Sequence, residues 1–103
     1  MREFNPNEVN KVIHSPIRLG IITILNSVKI EEVSFNYLKK RLNVTDGNLS
    51  THLKKLEKVG YIKVKKTFYN KKPYTTYRIT EKGKIAFREY LKNLKRVIKR
   101  QSS

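Results

Sequence analysis

Thr45-Asp46-Gly47-Asn48-Leu49-Ser50-Thr51-His52-Leu53-Lys54-Lys55-Leu56-Glu57-Lys58-Val59-Gly60 is the stretch from which the fold is read. The Thr45 hydroxyl can accept a hydrogen bond from an amide left unpaired at a helix start. Leu49, Leu53 and Leu56 then fall on one narrow stripe, and Gly60 suits the left-handed position that closes a helix. Working backward, Ser34 supplies a second cap, and Phe35, Leu38 and Leu42 share one face while Lys39, Lys40 and Arg41 occupy the rest. Asn43-Val44 reads as a short turn between the two. Residues 34–59 therefore spell two helices in tight succession.

Working forward from Gly60, the hydrophobic period changes. Ile62 and Val64 alternate with Lys63 and Lys65, as in a half-buried strand, and Tyr77 and Ile79 repeat the alternation. Between them Tyr69-Asn70-Lys71-Lys72-Pro73-Tyr74 is a polar segment with turn residues that joins the strands as a hairpin. Thr80 caps a closing helix, and Phe87, Tyr90, Leu91, Leu94, Val97 and Ile98 recur on it at three- and four-residue steps.

Two further helices precede residue 34. Asn5-Pro6 opens a short one over about 6–14, with Val9, Val12 and Ile13 on its apolar side. Ser15-Pro16 repeats the signal for the most buried helix, through Ile17, Ile21, Ile24, Leu25 and Val28, widened by Leu19 and Ile22. The expected fold is mainly α with a small β-hairpin, a winged helix-turn-helix of α+β class. It forms one domain over 1–103, with a core at about 15–80, a closing helix at about 81–100, and N- and C-terminal helices available for dimerisation.

Bulk properties narrow the partner. The 103 residues carry 24 Lys and Arg against 8 Asp and Glu, a formal charge of +16 with an isoelectric point near 10.3, which favours a polyanion such as nucleic acid. Cysteine is absent, so disulfides and thiolate metal sites are excluded, and no run approaches the roughly 18 apolar residues of a membrane span. With no signal-peptide core at Met1–Glu8, the expected location is cytoplasmic, on the nucleoid when bound to DNA. No glycine-rich phosphate loop, activated nucleophile or tight carboxylate pair is evident, so no catalytic residue, cofactor or metal is assigned. His14 precedes a helix start, and His52 sits at the edge of the leucine stripe, where a packed or hydrogen-bonded imidazole is favoured over a ligand.

In detail the chain resembles winged-helix regulators of the broad MarR and ArsR type, in their compact subgroup. The resemblance runs through Ser15-Pro16-Ile17-Arg18-Leu19, Phe35-Asn36-Tyr37-Leu38-Lys39, the quoted segment from Thr45, Gly60-Tyr61-Ile62, and Pro73 to Thr80 with Gly83, covering roughly residues 15–90. It implies sequence-specific binding of double-stranded DNA, homodimerisation and transcriptional control. The thiolate metal sensing of many ArsR-type proteins is unsupported here.

The residues themselves indicate the reading surface. At about 100° per residue, Gly47, Thr51, Lys54 and Lys58 lie opposite the leucines, flanked by Asn48, Ser50 and Lys55. With Thr45 at the start, this set suits a major groove, where Asn pairs with adenine and Lys with guanine. Asp46 is expected to stabilise the helix start. From Ser50 to Thr80 nine Lys or Arg residues face only Glu57 in acid. Asn70, Lys71 and Lys72 at the wing tip should reach phosphates or the minor groove, with Lys65, Lys66 and Arg78 lower on the hairpin. Phe68 and Tyr77 are expected to pack, whereas Tyr69 and Tyr74 are equally suited to packing and to stacking on bases. On the closing helix Phe87, Tyr90, Leu91, Leu94, Val97 and Ile98 form the expected homodimer seam, while Ile85 packs on its own subunit. An RNA or single-strand binder, and a protein-interaction module within a larger assembly, are the alternatives. The basic closing helix could also lie on an anionic membrane, though a dimer explains its apolar side better. No effector is indicated.

Overall fold

A computed structural model of the chain describes residues 9–27 and 32–102, with side chains through Lys99. Along the described residues the order is α1 (Pro16–Ser27), β1 (Val33–Ser34), α2 (Phe35–Leu42), α3 (Asp46–Lys58), β2 (Ile62–Tyr69), β3 (Lys72–Ile79) and α4 (Glu81–Ser102). The strands form one antiparallel sheet in the order β1-β3-β2. The architecture is a winged helix, as the periodicities predict.

The core gathers one face of each element. Ile21, Ile22 and Leu25 of α1, Leu38 of α2, Leu49, Leu53 and Leu56 of α3, Ile62 of β2, and Phe87 and Tyr90 of α4 are all buried in one cluster. Val28, expected on the α1 stripe, lies outside the described residues. Three of the expected caps are made: Ser34 Oγ accepts from Tyr37 N at 3.1 Å, Thr45 Oγ1 from Asn48 N at 3.2 Å, and Thr80 Oγ1 from Gly83 N at 3.0 Å.

The joint between α2 and α3 closes without glycine. Asn43 takes φ 53°, a left-handed conformation that Asn tolerates better than most residues, and its amide bonds Lys39 O at 2.9 Å. At the far end of α3, Gly60 takes φ 84°, its amide reaches Glu57 O at 2.9 Å and that of Tyr61 reaches Leu56 O at 3.0 Å. This paired closure is the Schellman arrangement, and it satisfies two terminal carbonyls before the chain turns into β2. Thr80 ties the return of the hairpin to the same point, donating to Gly60 O at 2.6 Å. Gly83 is needed for a different reason: a Cβ there would collide with the Tyr61 carbonyl oxygen and Ile79.

Four expectations are corrected. The short helix over 6–14 is not present in its described part. Residues 11–13 form a single turn because Asn10 starts one itself, its Oδ1 accepting from Val12 N at 2.9 Å and Ile13 N at 3.2 Å, with Pro16 soon after. Asn5-Pro6 lies outside the described residues. Val9 and Ile13 are buried in the chain's own core, so that apolar side is covered within the molecule. Second, β1 had no periodic signal; its Val33 and Ser34 pair with Tyr77 and Thr76. Third, the hairpin turn is only Asn70-Lys71, with φ 52° and 65°, a two-residue turn whose double positive φ follows the strand twist. Tyr69, Lys72, Pro73 and Tyr74 therefore belong to the strands. Last, Phe68 is 76% exposed rather than packed, because β1 pairs only with Tyr77 and Thr76 and leaves the outer ribbon two strands wide, and Ile85 is 48% exposed on α4.

Candidate nucleic-acid interface

With its leucines buried, α3 shows the opposite surface to solvent. Thr45, Gly47, Asn48, Thr51, Lys54, Lys55 and Lys58 are exposed and Ser50 is half-buried. Nothing in the described chain lies within 4 Å of where a Gly47 Cβ would stand, so the backbone itself is approachable there. The Thr51 hydroxyl donates to Gly47 O at 2.9 Å, which fixes its orientation and leaves its lone pairs outward. Asp46 pairs with Lys39 at 2.7 Å across the joint, an exposed contact worth at most about 1 kcal/mol that also offsets the one carboxylate at this helix start.

Behind this surface stands a residue that the sequence did not single out. Arg18 of α1 donates from Nη1 to His52 Nδ1 at 2.9 Å and from Nε to Val12 O at 2.5 Å. A guanidinium only donates, so His52 must accept at Nδ1 and carry its proton on Nε2. Burial, then the positive charges of Arg18 and Lys55, hold the His52 pKa below its usual value. His14 is likewise engaged, its Nδ1 lying 2.8 Å from the Tyr90 hydroxyl, whose own pKa burial raises. Among the described residues no cluster of three or more His, Cys, Asp or Glu could hold a metal.

The ribbon has two unlike faces, since side chains alternate along each strand. Ile62, Val64, Lys66 and Phe68, with Ile79, Tyr77, Thr75 and Pro73 opposite, lie on the face that packs onto the core at its base. Lys63, Lys65, Thr67 and Tyr69, with Arg78, Thr76, Tyr74 and Lys72, lie on the outer face. The basic residues expected low on the hairpin are thus divided: Lys66 on one face, Lys65 and Arg78 on the other. Glu32 accepts from Thr76 Oγ1 at 3.2 Å and lies 3.7 Å from Lys65 Nζ, bringing a carboxylate to the outer base that no local motif announced. Tyr69 and Tyr74 lie against each other on the outer face, ring centres 5.9 Å apart. At the tip Asn70, Lys71 and Lys72 are all exposed.

On α4 the expected seam splits. Phe87, Tyr90 and Val97 are buried within the chain and Leu94 is half-buried, whereas Leu91 and Ile98 are 47% and 58% exposed.

The winged-helix arrangement has counterparts among known proteins. Residues 17–98 match the family model described as a winged helix DNA-binding domain. An uncharacterised protein of Methanocaldococcus jannaschii is 43% identical over 81 residues, covering 79% of this chain and 86% of the relative. The solved structure of a transcriptional regulator homologue from Pyrococcus horikoshii OT3 superposes with a TM-score of 0.79 at 32% identity, covering 89% of each chain. Bacillus subtilis PadR, solved in complex with operator DNA, shares the fold at a TM-score of 0.61 and 21% identity, over 70% of this chain and 45% of PadR. With its helix pair, hairpin and family match spanning most of its length, this chain belongs to the winged helix DNA-binding domain family.

Proposed function

We propose that the protein is a sequence-specific, double-stranded DNA-binding transcription regulator that acts as a homodimer and is no enzyme. In this reading 1–103 is one domain, α3 enters the major groove and the wing runs along phosphates and the minor groove. Asn48, Ser50 and Thr51 read base edges, while Thr45, Lys54, Lys55 and Lys58 hold the backbone and Gly47 lets the groove close on the helix start. Lys66, Lys71 and Lys72, with Asn70 and Tyr69 at the turn, engage the flanking groove, and Lys65 and Arg78 add field from the outer face.

The observation that carries this reading is the division of labour on α3: every leucine is buried and the remaining Thr, Asn and Lys surface is exposed beside a ribbon without a single acidic residue over 62–79. The operator complex of PadR, which shares the fold, supports the same use of it.

A homodimer is supported by α4, where Leu91 and Ile98 continue the buried stripe of Phe87, Leu94 and Val97 into solvent. A second α4 laid on that edge would cover them, with Phe87, Tyr90 and Val97 forming the rigid floor of the seam. Two reading helices related by a twofold axis call for a pseudo-palindromic site with half-sites about 10 base pairs apart. None of the helices described is long and apolar enough to cross a membrane, and the proposed setting is the cytoplasm, at the nucleoid.

Competition binding at matched salt, with duplex DNA, single-stranded DNA and RNA, tests the reading. A strong duplex preference and a discrete, two-lobed footprint are expected. Preference for single strands or RNA, or no footprint on any genomic fragment, would replace it with one of the other winged-helix uses.

A further inference from the structure

Phe68 is the most exposed large hydrophobic side chain among the described residues, at 76%. Its place in the ribbon explains why the chain cannot cover it. It lies four residues along β2 from Val64, whose cross-strand partner Tyr77 still packs against the core, and a strand rises about 3.3 Å per residue, so it stands roughly 13 Å beyond the last core contact. Its partner across the ribbon is Pro73. In a two-residue hairpin the pair flanking the turn, here Tyr69 and Lys72, is hydrogen-bonded, and the next pair is not. The Phe68 and Pro73 side chains are therefore in the closer type of cross-strand pair, and the missing amide of Pro73 faces outward at no cost to the ladder. The result is a narrow, stiff apolar edge one ring wide.

Its surroundings select the occupant. Lys66 shares the face of Phe68, Lys71 occupies the turn and Lys72 follows it, all exposed, and no acid lies on the ribbon. The same face at the ribbon's base packs on the core, and β2 contacts α3, so the ribbon springs from beside the helix proposed to hold the polyanion. A thin apolar blade rimmed by cations fits the minor groove of a duplex, where Phe and Pro side chains can slip between base pairs while cations grip the phosphates on either side.

We propose that Phe68, braced by Pro73, is a wedge that enters the minor groove beside the segment read by α3 and partly unstacks one base step, so that the bound DNA is bent. This inference rests on the duplex-binding reading above. It adds a sequence preference that needs no base hydrogen bond: pyrimidine–purine steps, which unstack most readily, should be favoured where the wing lands.

The test uses the full chain and its footprinted duplex, carrying 2-aminopurine at successive positions across each flank and a donor and acceptor dye at the ends. Wild-type protein should raise 2-aminopurine fluorescence at one step per half-site and shorten the end-to-end distance. Phe68→Ala should lose both signals and the several-fold preference for a TA over a GC step there, while keeping the footprint and the salt dependence. Phe68→Leu should keep part of each. Because the side chain is exposed, the thermal melt of both variants should match wild type. A normal footprint on straight DNA with unperturbed 2-aminopurine, or a Phe68→Ala variant that bends DNA like wild type, overturns the wedge and leaves duplex binding intact. So does a Phe68→Ala variant whose only change is weaker self-association in sedimentation or weaker binding to anionic phosphatidylglycerol vesicles. Absence of any duplex preference in the wild type overturns both readings together.

Discussion

The helices α3 and α4 are both amphipathic and both basic, yet they finish their burial differently. In α3 three leucines go fully into the core and what remains outside is polar, chiefly Thr, Ser, Asn and Lys with Asp46 and Glu57. In α4 Phe87, Tyr90 and Val97 are buried but Leu91 and Ile98, on the edge of the same stripe, are about half exposed. A polar surface stays hydrated until a polar partner replaces the water, whereas an apolar strip is uphill in water until another apolar strip meets it. The contrast is what the proposed function builds on, with nucleic acid for one helix and a second copy for the other.

The sharpest way to break that contrast is to shorten the two stripes. Leu53→Ala should cost about 2–5 kcal/mol, the usual range for a fully buried leucine, and be read as a lower urea midpoint at unchanged slope. Leu91→Ala, measured at concentrations where the protein is monomeric, should leave the midpoint nearly where it was. An equal loss in both would mean that Leu91 already has intramolecular cover.

Next in size is the effect of charge on the strip. Leu91→Asp or Ile98→Asp should weaken self-association by roughly a hundredfold, equivalent to about 2.7 kcal/mol, in sedimentation equilibrium, without lowering the melting temperature of the monomer. Affinity for a two-half-site duplex should fall in step, and affinity for a single half-site should not. A dimer untouched by either change would have its seam elsewhere.

On α3 and the wing the effects are smaller and carry a signature. Lys54→Ala and Lys71→Ala should each flatten the log-log dependence of binding on salt by about 0.9 for each phosphate no longer neutralised. Asn48→Ala and Thr51→Ala should leave that slope alone and change base preference at one position by about 1–3 kcal/mol where the hydrogen bonding is bidentate. Equal losses on every sequence would remove Asn48 and Thr51 from base reading.

The smallest effect is the pH dependence of stability set by His52. Its folded pKa lies below 6.5, so as pH falls through 6.5 the unfolded chain takes up the proton first and stability declines until the folded value is passed. Urea midpoints at pH 8 and pH 5 should differ more in wild type than in His52→Gln, which cannot titrate. Matching differences would mean that other groups carry the acid sensitivity.

These regions also differed in how plainly the sequence announced them. Nearly everything about α3 was legible, because a cap, a stripe and a closing glycine act within one turn of the residues that carry them. The segment before α1 was misdrawn because Asn10, an ordinary helix-interior residue by pattern, caps a turn of its own while its side-chain amide donates to the Tyr61 hydroxyl 51 residues away. β1 is too short for any periodicity to register. At the hairpin, Pro73 read as a turn residue, whereas it sits in a strand at a position whose amide has no partner to lose. In the site, the outward residues of α3 could be named in advance, but the Arg18–His52 brace and the approach of Glu32 to Lys65 join residues more than 30 positions apart. The α4 stripe was visible as a whole; which of its members the chain's own core would claim was not.

The closure of α2 by Asn43 has a consequence for how the gene can change length. Lys39 O accepts from both Asn43 N and Val44 N, so the two helices are joined by a link with no slack. One inserted codon there would break the closure on Lys39 O and with it the fixed placement of α3 that seats Leu49, Leu53 and Leu56 in the core. For folding alone, extra residues at Asn70-Lys71 would enlarge an exposed loop at about 0.6 kcal/mol per doubling. Insertions and deletions across relatives should therefore be missing from the joint, while the hairpin tip can change length without unfolding the domain.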